Sequence, residues 1–170
     1  MSSGHDVSFT VKPIGVIHSP FKSPGETPIQ PSFAPGVKGT VELFGEYGEG
    51  LKDLEGFSHI ELIYFFHRAG EVGTTALLRK PFLDAEAHGI FATRHPARPN
   101  PIGLSVVRLV SVTGNSLEVE GIDVLDGTPL LDIKPYVARF DVRLDTRSGW
   151  MDQVGDQTAR RRGERGPDEG

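Results

Sequence analysis

The chain has 170 residues, a length that suggests one domain with enough residues for a substantial core. Apolar residues make up 37%, including ten Phe, while 21 Gly and 13 Pro favour turns and short strands over long helices. The absence of cysteine excludes disulfides and thiolate metal sites. A formal net charge of −5 argues against a protein whose main task is coating nucleic acid, while leaving room for a local basic patch.

In chain order, residues 9–17 read as a first strand, at an edge or a bulge because Pro13 has no amide to donate. His18-Ser19-Pro20-Phe21 ends it. Residues 22–35 form a long loop punctuated by Pro24, Pro28, Pro31 and Pro35, and loops of that length are usually functional or disordered. Its Pro28-Ile29-Gln30-Pro31 stretch either pre-aims the Gln30 amide at a ligand or leaves it in solvent, with equal weight. Residues 39–44 alternate and predict a half-buried strand, and residues 51–54 predict one helical turn. Residues 58–67 are rich in β-branched and aromatic side chains and predict the central strand. Ile60, Leu62, Tyr64 and Phe66 share one face; His59, Glu61, Ile63, Phe65 and His67 share the other. A short strand follows at 77–79.

Residues 89–92 read as a short apolar strand entering a polar segment with Thr93, Arg94, His95, Arg98 and Asn100, interleaved with Pro96, Pro99 and Pro101. Fixed φ and missing amides make that segment a stiff, extended loop, and a cation-bearing loop between two core strands suits a binding site. Its plain alternative is a Pro-rich surface connection with solvated arginines. Strands are expected at 104–112 and 117–122 around a turn at 113–116, then a loop at 123–129 with Asp123, Asp126 and Gly127, then a strand at 130–133. Residues 150–162 carry a weak helix signal, and residues 160–170 look like a disordered, mixed-charge tail. Many short strands separated by turns predict a mainly β protein, a barrel or a sandwich. The N-terminus has no secretory pattern and the most apolar run, 60–66, is too short for a bilayer, so a soluble cytoplasmic protein is expected.

Several standard sites are missing. There is no G-x-G-x-x-G, no Walker loop and no G-x-S-x-G elbow. His59 and His67 sit eight strand residues apart, roughly 26 Å, too far to share a metal on a straight strand. Two loops remain, one with Arg94, Arg98 and Asn100, the other with Asp123, Asp126, Gly127 and Thr128. Arginine pairs bidentately with a carboxylate, and an aspartate accepts from an ammonium, a hydroxyl or a base amine. Alone, Asp126 reads as a simple turn residue and Arg94 as the partner of a nearby acid. Together they predict a polar small-molecule site of open ligand class.

The segments Ile14-Gly-Val-Ile-His-Ser-Pro20, Leu54-Glu-Gly-Phe-Ser-His-Ile60, Gly89-Ile-Phe-Ala-Thr-Arg94, Arg98-Pro-Asn-Pro-Ile-Gly-Leu104 and Asp126-Gly-Thr-Pro-Leu-Leu-Asp-Ile-Lys-Pro-Tyr136 closely resemble the TrmO family, also called TsaA-like or YaeB-like. Ordered motif blocks over most of a chain are more specific than one short pattern. The resemblance implies a closed β-barrel over residues 7–145 with few short helices, followed by a C-terminal extension at 146–170. It implies a homodimeric S-adenosyl-L-methionine-dependent methyltransferase, and with the spacing and hydropathy above neither a metal nor a membrane anchor is expected. Its substrate would be tRNA, methylated on N6 of threonylcarbamoyl-adenosine next to the anticodon. Carried over by motif, the cofactor residues are Pro28, Ile29, Gln30, Phe66, His67, Arg94, Leu104, Leu125, Asp126, Gly127 and Thr128. Asp126, His67 and Asn100 are the candidates to accept the N6 hydrogen. Larger bacterial members have a further C-terminal domain, so the likeness is to the short form. Two other readings stay open: a methyltransferase of the same fold acting on a small molecule or another RNA, and a cofactor-binding module without catalysis.

Overall fold

The computed structural model describes residues 7–163; residues 1–6 and the expected tail from 164 to 170 lie outside the described residues. Six antiparallel strands close into a barrel: β1 (Gly15–His18), β2 (Lys38–Leu43), β3 (His59–Phe65), β6 (Ile102–Thr113), β7 (Ser116–Glu120) and β8 (Thr128–Pro135). Their order around the barrel is β1-β2-β7-β6-β3-β8, and β8 pairs back onto β1. Two further strands, β4 (Leu78–Arg79) and β5 (His88–Gly89), make a separate short ribbon. Two helices follow the barrel, α1 (Ala138–Asp141) and α2 (Asp156–Gly163). Among the described residues no helix is long and apolar enough to cross a membrane.

The period-2 pattern of the strands fills the barrel. Ile17, Val41, Ile60, Leu62, Val107, Leu117, Val119 and Leu130 are all at most 2% exposed and pack as one cluster. Ile60, Leu62 and Tyr64 point inward from β3, as their shared face predicts, and β3 is hydrogen-bonded on both sides, to β6 and β8. The outward face of the β3–β6 pair is apolar at the end nearer Phe65, where Phe65 stands opposite Ile102 and Ile63 opposite Leu104, and polar at the other, where His59 stands opposite Arg108.

Three local expectations change. The first strand begins at Gly15 instead of residue 9, because the pairing with β2 and β8 starts only after Pro13; Val7, Phe9 and Val11 remain exposed. Residues 90–92 form a 3-10 turn in place of a strand. Thr93 folds back and donates to the Ile90 carbonyl through both its amide and its hydroxyl, which pulls Ile90–Ala92 out of β5. Residues 160–163 of the expected disordered tail are the last turn of α2, and the Gly163 carbonyl accepts from the Ile29 amide at 3.1 Å.

Candidate functional site

One end of the barrel gathers the C-terminal ends of β1, β3 and β7 and the N-terminal ends of β2, β6 and β8. A cavity of about 770 Å³ opens there. Five pieces of chain wall it: the Pro-rich loop at 24–30, the end of β3 and its continuation at 66–72, the stretch 81–96, the β7–β8 loop at 123–128, and the C-terminal segment 148–159.

Eight of the eleven expected cofactor residues line this one cavity: Pro28, Ile29, Gln30, Phe66, His67, Arg94, Leu125 and Thr128. Each position has a local cause. Pro28 and Pro31 flank Gln30, and Pro31 starts a 3-10 turn in which Phe33 N donates to the Gln30 carbonyl. The Gln30 amide nitrogen donates to the Ile29 carbonyl at 2.5 Å, which turns its oxygen toward Arg94; an Arg94 Nη1 hydrogen bond to that oxygen holds the guanidinium at the cavity. Arg94 has five N–H donors, so this contact leaves most of the fork available to an anion. Phe66 leaves β3 with its amide donating to the Pro101 carbonyl, and its ring meets Tyr64 edge-on at 5.3 Å. Partial burial beside the Arg68 cation lowers the His67 imidazole pKa from its ordinary value, which keeps the ring uncharged at neutral pH.

Leu104, Asp126 and Gly127 lie off the cavity wall, as does Asn100. Leu104 stands on the outer face of β6 and is 52% exposed. Asp126 faces the other side of its loop, where its carboxylate takes the Lys22 ammonium at 2.6 Å, His18 Nδ1 at 3.2 Å and the Ser19 amide at 3.2 Å. The Lys22 contact is the main reason its carboxyl is lowered to about 2. Gly127 supplies the φ of +77° that the Leu125–Thr128 turn demands, with Thr128 N and Oγ1 both donating to the Leu125 carbonyl. Arg98 is spent on the loop itself, donating to the Thr93 carbonyl at 3.0 Å.

The barrel end also holds a buried polar chain. Ser105 donates to Asp123 Oδ1 at 2.6 Å, and the Tyr64 hydroxyl lies 2.9 Å from Ser105 Oγ. The single Ser105 proton is committed to Asp123, so Tyr64 is the donor to Ser105. Gly103 makes room for this: a Cβ there would come within 2.2 Å of the Tyr64 ring. Burial pushes the Asp123 carboxyl up to about 7 against the opposing pull of Ser105, and burial pushes the Tyr64 phenol above its ordinary range. Tyr64 and Asp123 both line the cavity.

The wall formed by 148–159 carries no motif that sequence reasoning could use. Its one signal is Trp150, the sole tryptophan of the chain. Trp150 Nε1 donates to the Ala92 carbonyl at 2.8 Å, and the indole stacks on His88 at 4.6 Å and 13°, pinning the segment to the 81–96 wall.

This donor set fits a zwitterionic ligand with an aromatic ring: the Arg94 guanidinium for a carboxylate, the carboxylates of Asp152 and Asp156 on the C-terminal wall for an ammonium or hydroxyls, and Phe66 and Phe91 for a ring. The comparisons agree with it. A probable S-adenosyl-L-methionine-binding protein of Pyrococcus abyssi is 61% identical over 142 residues, covering 84% of this chain and 76% of that protein. The mouse tRNA (adenine(37)-N6)-methyltransferase is 38% identical over 134 residues, 76% of this chain but 31% of the mouse protein. A crystal structure of TrmO from Pseudomonas aeruginosa superposes with a TM-score of 0.69 at 41% identity, over 85% of this chain and 63% of that one. The chain thus spans less than two thirds of the mouse protein and of the solved TrmO chain. Residues 16–142 match the family model described as the tRNA-methyltransferase O N-terminal domain, and the chain belongs to that family.

Proposed function

We propose that this protein is an S-adenosyl-L-methionine-dependent methyltransferase acting on tRNA, at N6 of threonylcarbamoyl-adenosine next to the anticodon. The observation that carries the reading is the convergence of Gln30, Phe66, Arg94 and Thr128 on one cavity at the barrel end, in a chain of this family. When bound, the cofactor supplies an electrophilic methyl group on a sulfonium. Arg94, held by Gln30, takes the cofactor carboxylate through its free N–H groups. Phe66 gives an apolar surface for a ring, and the uncharged His67 adds no positive charge against a cationic ligand. Leu125 and Thr128 wall the side nearest the β7–β8 turn.

The protein works as a homodimer in the cytoplasm in this reading. The apolar outer face of β3 and β6, with Phe65, Ile102 and Leu104 exposed, is the surface for the second copy. Leu104 points away from its own cavity, so a cofactor role for it requires that it reach the site of the partner.

The test has two parts. Calorimetry should detect S-adenosyl-L-methionine binding, and Arg94→Ala should weaken it by about 2 kcal/mol, because a charge-assisted contact is lost. Incubation with labelled cofactor and tRNA carrying the threonylcarbamoyl group should place label on the N6 of that nucleoside. Tight cofactor binding with unlabelled tRNA would reject tRNA as the substrate and leave either a methyltransferase of another substrate or a cofactor-binding module.

A further inference from the structure

We propose that Asp123, positioned by the Ser105–Tyr64 hydroxyl chain, is the residue that takes the proton from the exocyclic N6 of the substrate adenine. The inference rests on the methyltransferase reading above and assigns a catalytic role within that cavity.

The chemistry requires such a group. The lone pair of an adenine N6 is delocalised into the ring, and in a carbamoylated adenine into the urea carbonyl as well. Methylation of N6 therefore depends on loss of its proton. In the balanced step, N6 bonds to the methyl carbon as the carbon–sulfur bond breaks. The electron pair of that bond returns to sulfur, and the N6 proton passes to a carboxylate oxygen of Asp123. The products are the N-methylated base, the neutral thioether of the cofactor and a protonated Asp123.

Four observations favour Asp123. It lines the cavity, yet is only 7% exposed, so bulk water does not level its basicity. The hydroxyl chain is directed, Tyr64 to Ser105 to Oδ1, and fixes the carboxyl while engaging one of its oxygens. No further side chain among the described residues donates to it, and the charged group that acts on it from another element is Arg94. Burial raises its carboxyl to about 7, which matches its basicity to proton transfer around neutral pH. Two acceptors named from the sequence have other surroundings. Asp126 is held by Lys22 and His18 on the outer side of the loop, and Asn100 is exposed and off the cavity wall. His67 lies on the wall, but its ring is engaged by the Phe65 backbone and sits beside the Arg68 cation, which disfavours taking up a proton.

The experiment compares wild type with Asp123→Asn, which keeps the shape of the carboxyl and removes its basicity. Cofactor affinity, read by calorimetry, should stay within about threefold, while single-turnover methyl transfer to tRNA should fall by about a hundredfold or more. The wild-type rate should rise with pH through about 7 and then level off. Infrared titration of the cofactor-free protein should show a carboxyl band that disappears over that same interval and is missing from D123N. Transfer by D123N at the wild-type rate overturns the proposal. Loss of cofactor binding in a folded D123N also overturns it, and makes Asp123 a cofactor ligand instead. If D123N does not fold, the wild-type profile decides: a rate independent of pH through neutrality rejects the assignment. Wild-type protein that transfers no methyl group at all defeats the functional reading itself, an outcome distinct from an active D123N.

Discussion

The loop joining β7 to β8 carries two carboxylates three positions apart, and they live in opposite environments. Asp123 turns into the barrel end, where Ile122 and Val124 on either side are buried and Ser105 is its hydrogen-bond donor. Asp126 turns outward, where Lys22, His18 and the Ser19 amide surround it. The first carboxyl is raised to about 7 by burial; the second is lowered to about 2, chiefly by Lys22. Removal of water sets the first, and a cation within hydrogen-bonding distance sets the second. A loop that bends between them offers one residue to chemistry and the other to anchoring the 19–22 strap.

The largest expected effect comes from the buried member. A folded carboxyl raised from 3.8 to about 7 is shifted by about three pH units, worth on the order of 4 kcal/mol. The sign follows from proton counting: between those two values the folded state holds a proton that the unfolded state has released. The contribution is therefore fully present below the unfolded pKa and is lost as pH rises through about 7. Urea unfolding of wild type and Asp123→Asn across that interval should show the wild type losing stability relative to the variant as pH increases. A difference that stays flat with pH would mean that Asp123 is not desolvated.

The next effect tests what aims the buried carboxyl. Ser105→Ala removes one donor from Asp123 and one acceptor from Tyr64, leaving two buried groups underpaired at a cost of about 1–3 kcal/mol. The Ser105 bond favours the ionised carboxylate, so its loss should also move the titration midpoint of Asp123 further up. Denaturant unfolding reads the first effect and the pH–rate profile reads the second. A stability loss with an unmoved midpoint would limit Ser105 to packing.

The contrast between the two aspartates also marks where sequence reading stops. Alternation marks the half-buried strand that becomes β2 and the two faces of β3, because a side-chain period of two is written directly in the order of residues; the strands that become β6 and β7 are legible as strands but not as faces. Arg94 and the β7–β8 turn can be grouped as one polar site because each has its own local chemistry, while the Pro-rich loop joins them only through the family resemblance. Tyr64, by contrast, reads as ordinary core on the Ile60–Leu62 face; its hydroxyl matters only because Gly103 admits the ring and Ser105 arrives from another strand. Trp150 closes the cavity through a stack with His88, a pairing across 62 positions that no local pattern encodes. The direction of Asp123 against Asp126 is likewise a property of the closed barrel. It depends on the +φ turn at Gly127 and on Ser19 and Phe21 crossing behind the loop, where the Asp126 amide donates to the Phe21 carbonyl.

The smallest effect belongs to the outward member and is the sharpest check on its orientation. Asp126→Asn removes the carboxylate from an exposed pair with Lys22, and exposed ion pairs are worth at most about 1 kcal/mol. The unfolding free energy should fall by no more than that, and the difference should shrink as salt screens the pair. The stabilisation is present above the ordinary carboxylate range and is lost as pH falls toward about 2, the opposite pH direction from Asp123. Cofactor affinity measured by calorimetry should be unaltered, since Asp126 is not on the cavity wall. A large loss of affinity in D126N would instead show that the loop turns inward when ligand binds. That result would return Asp126 to the cofactor set that the family likeness implies.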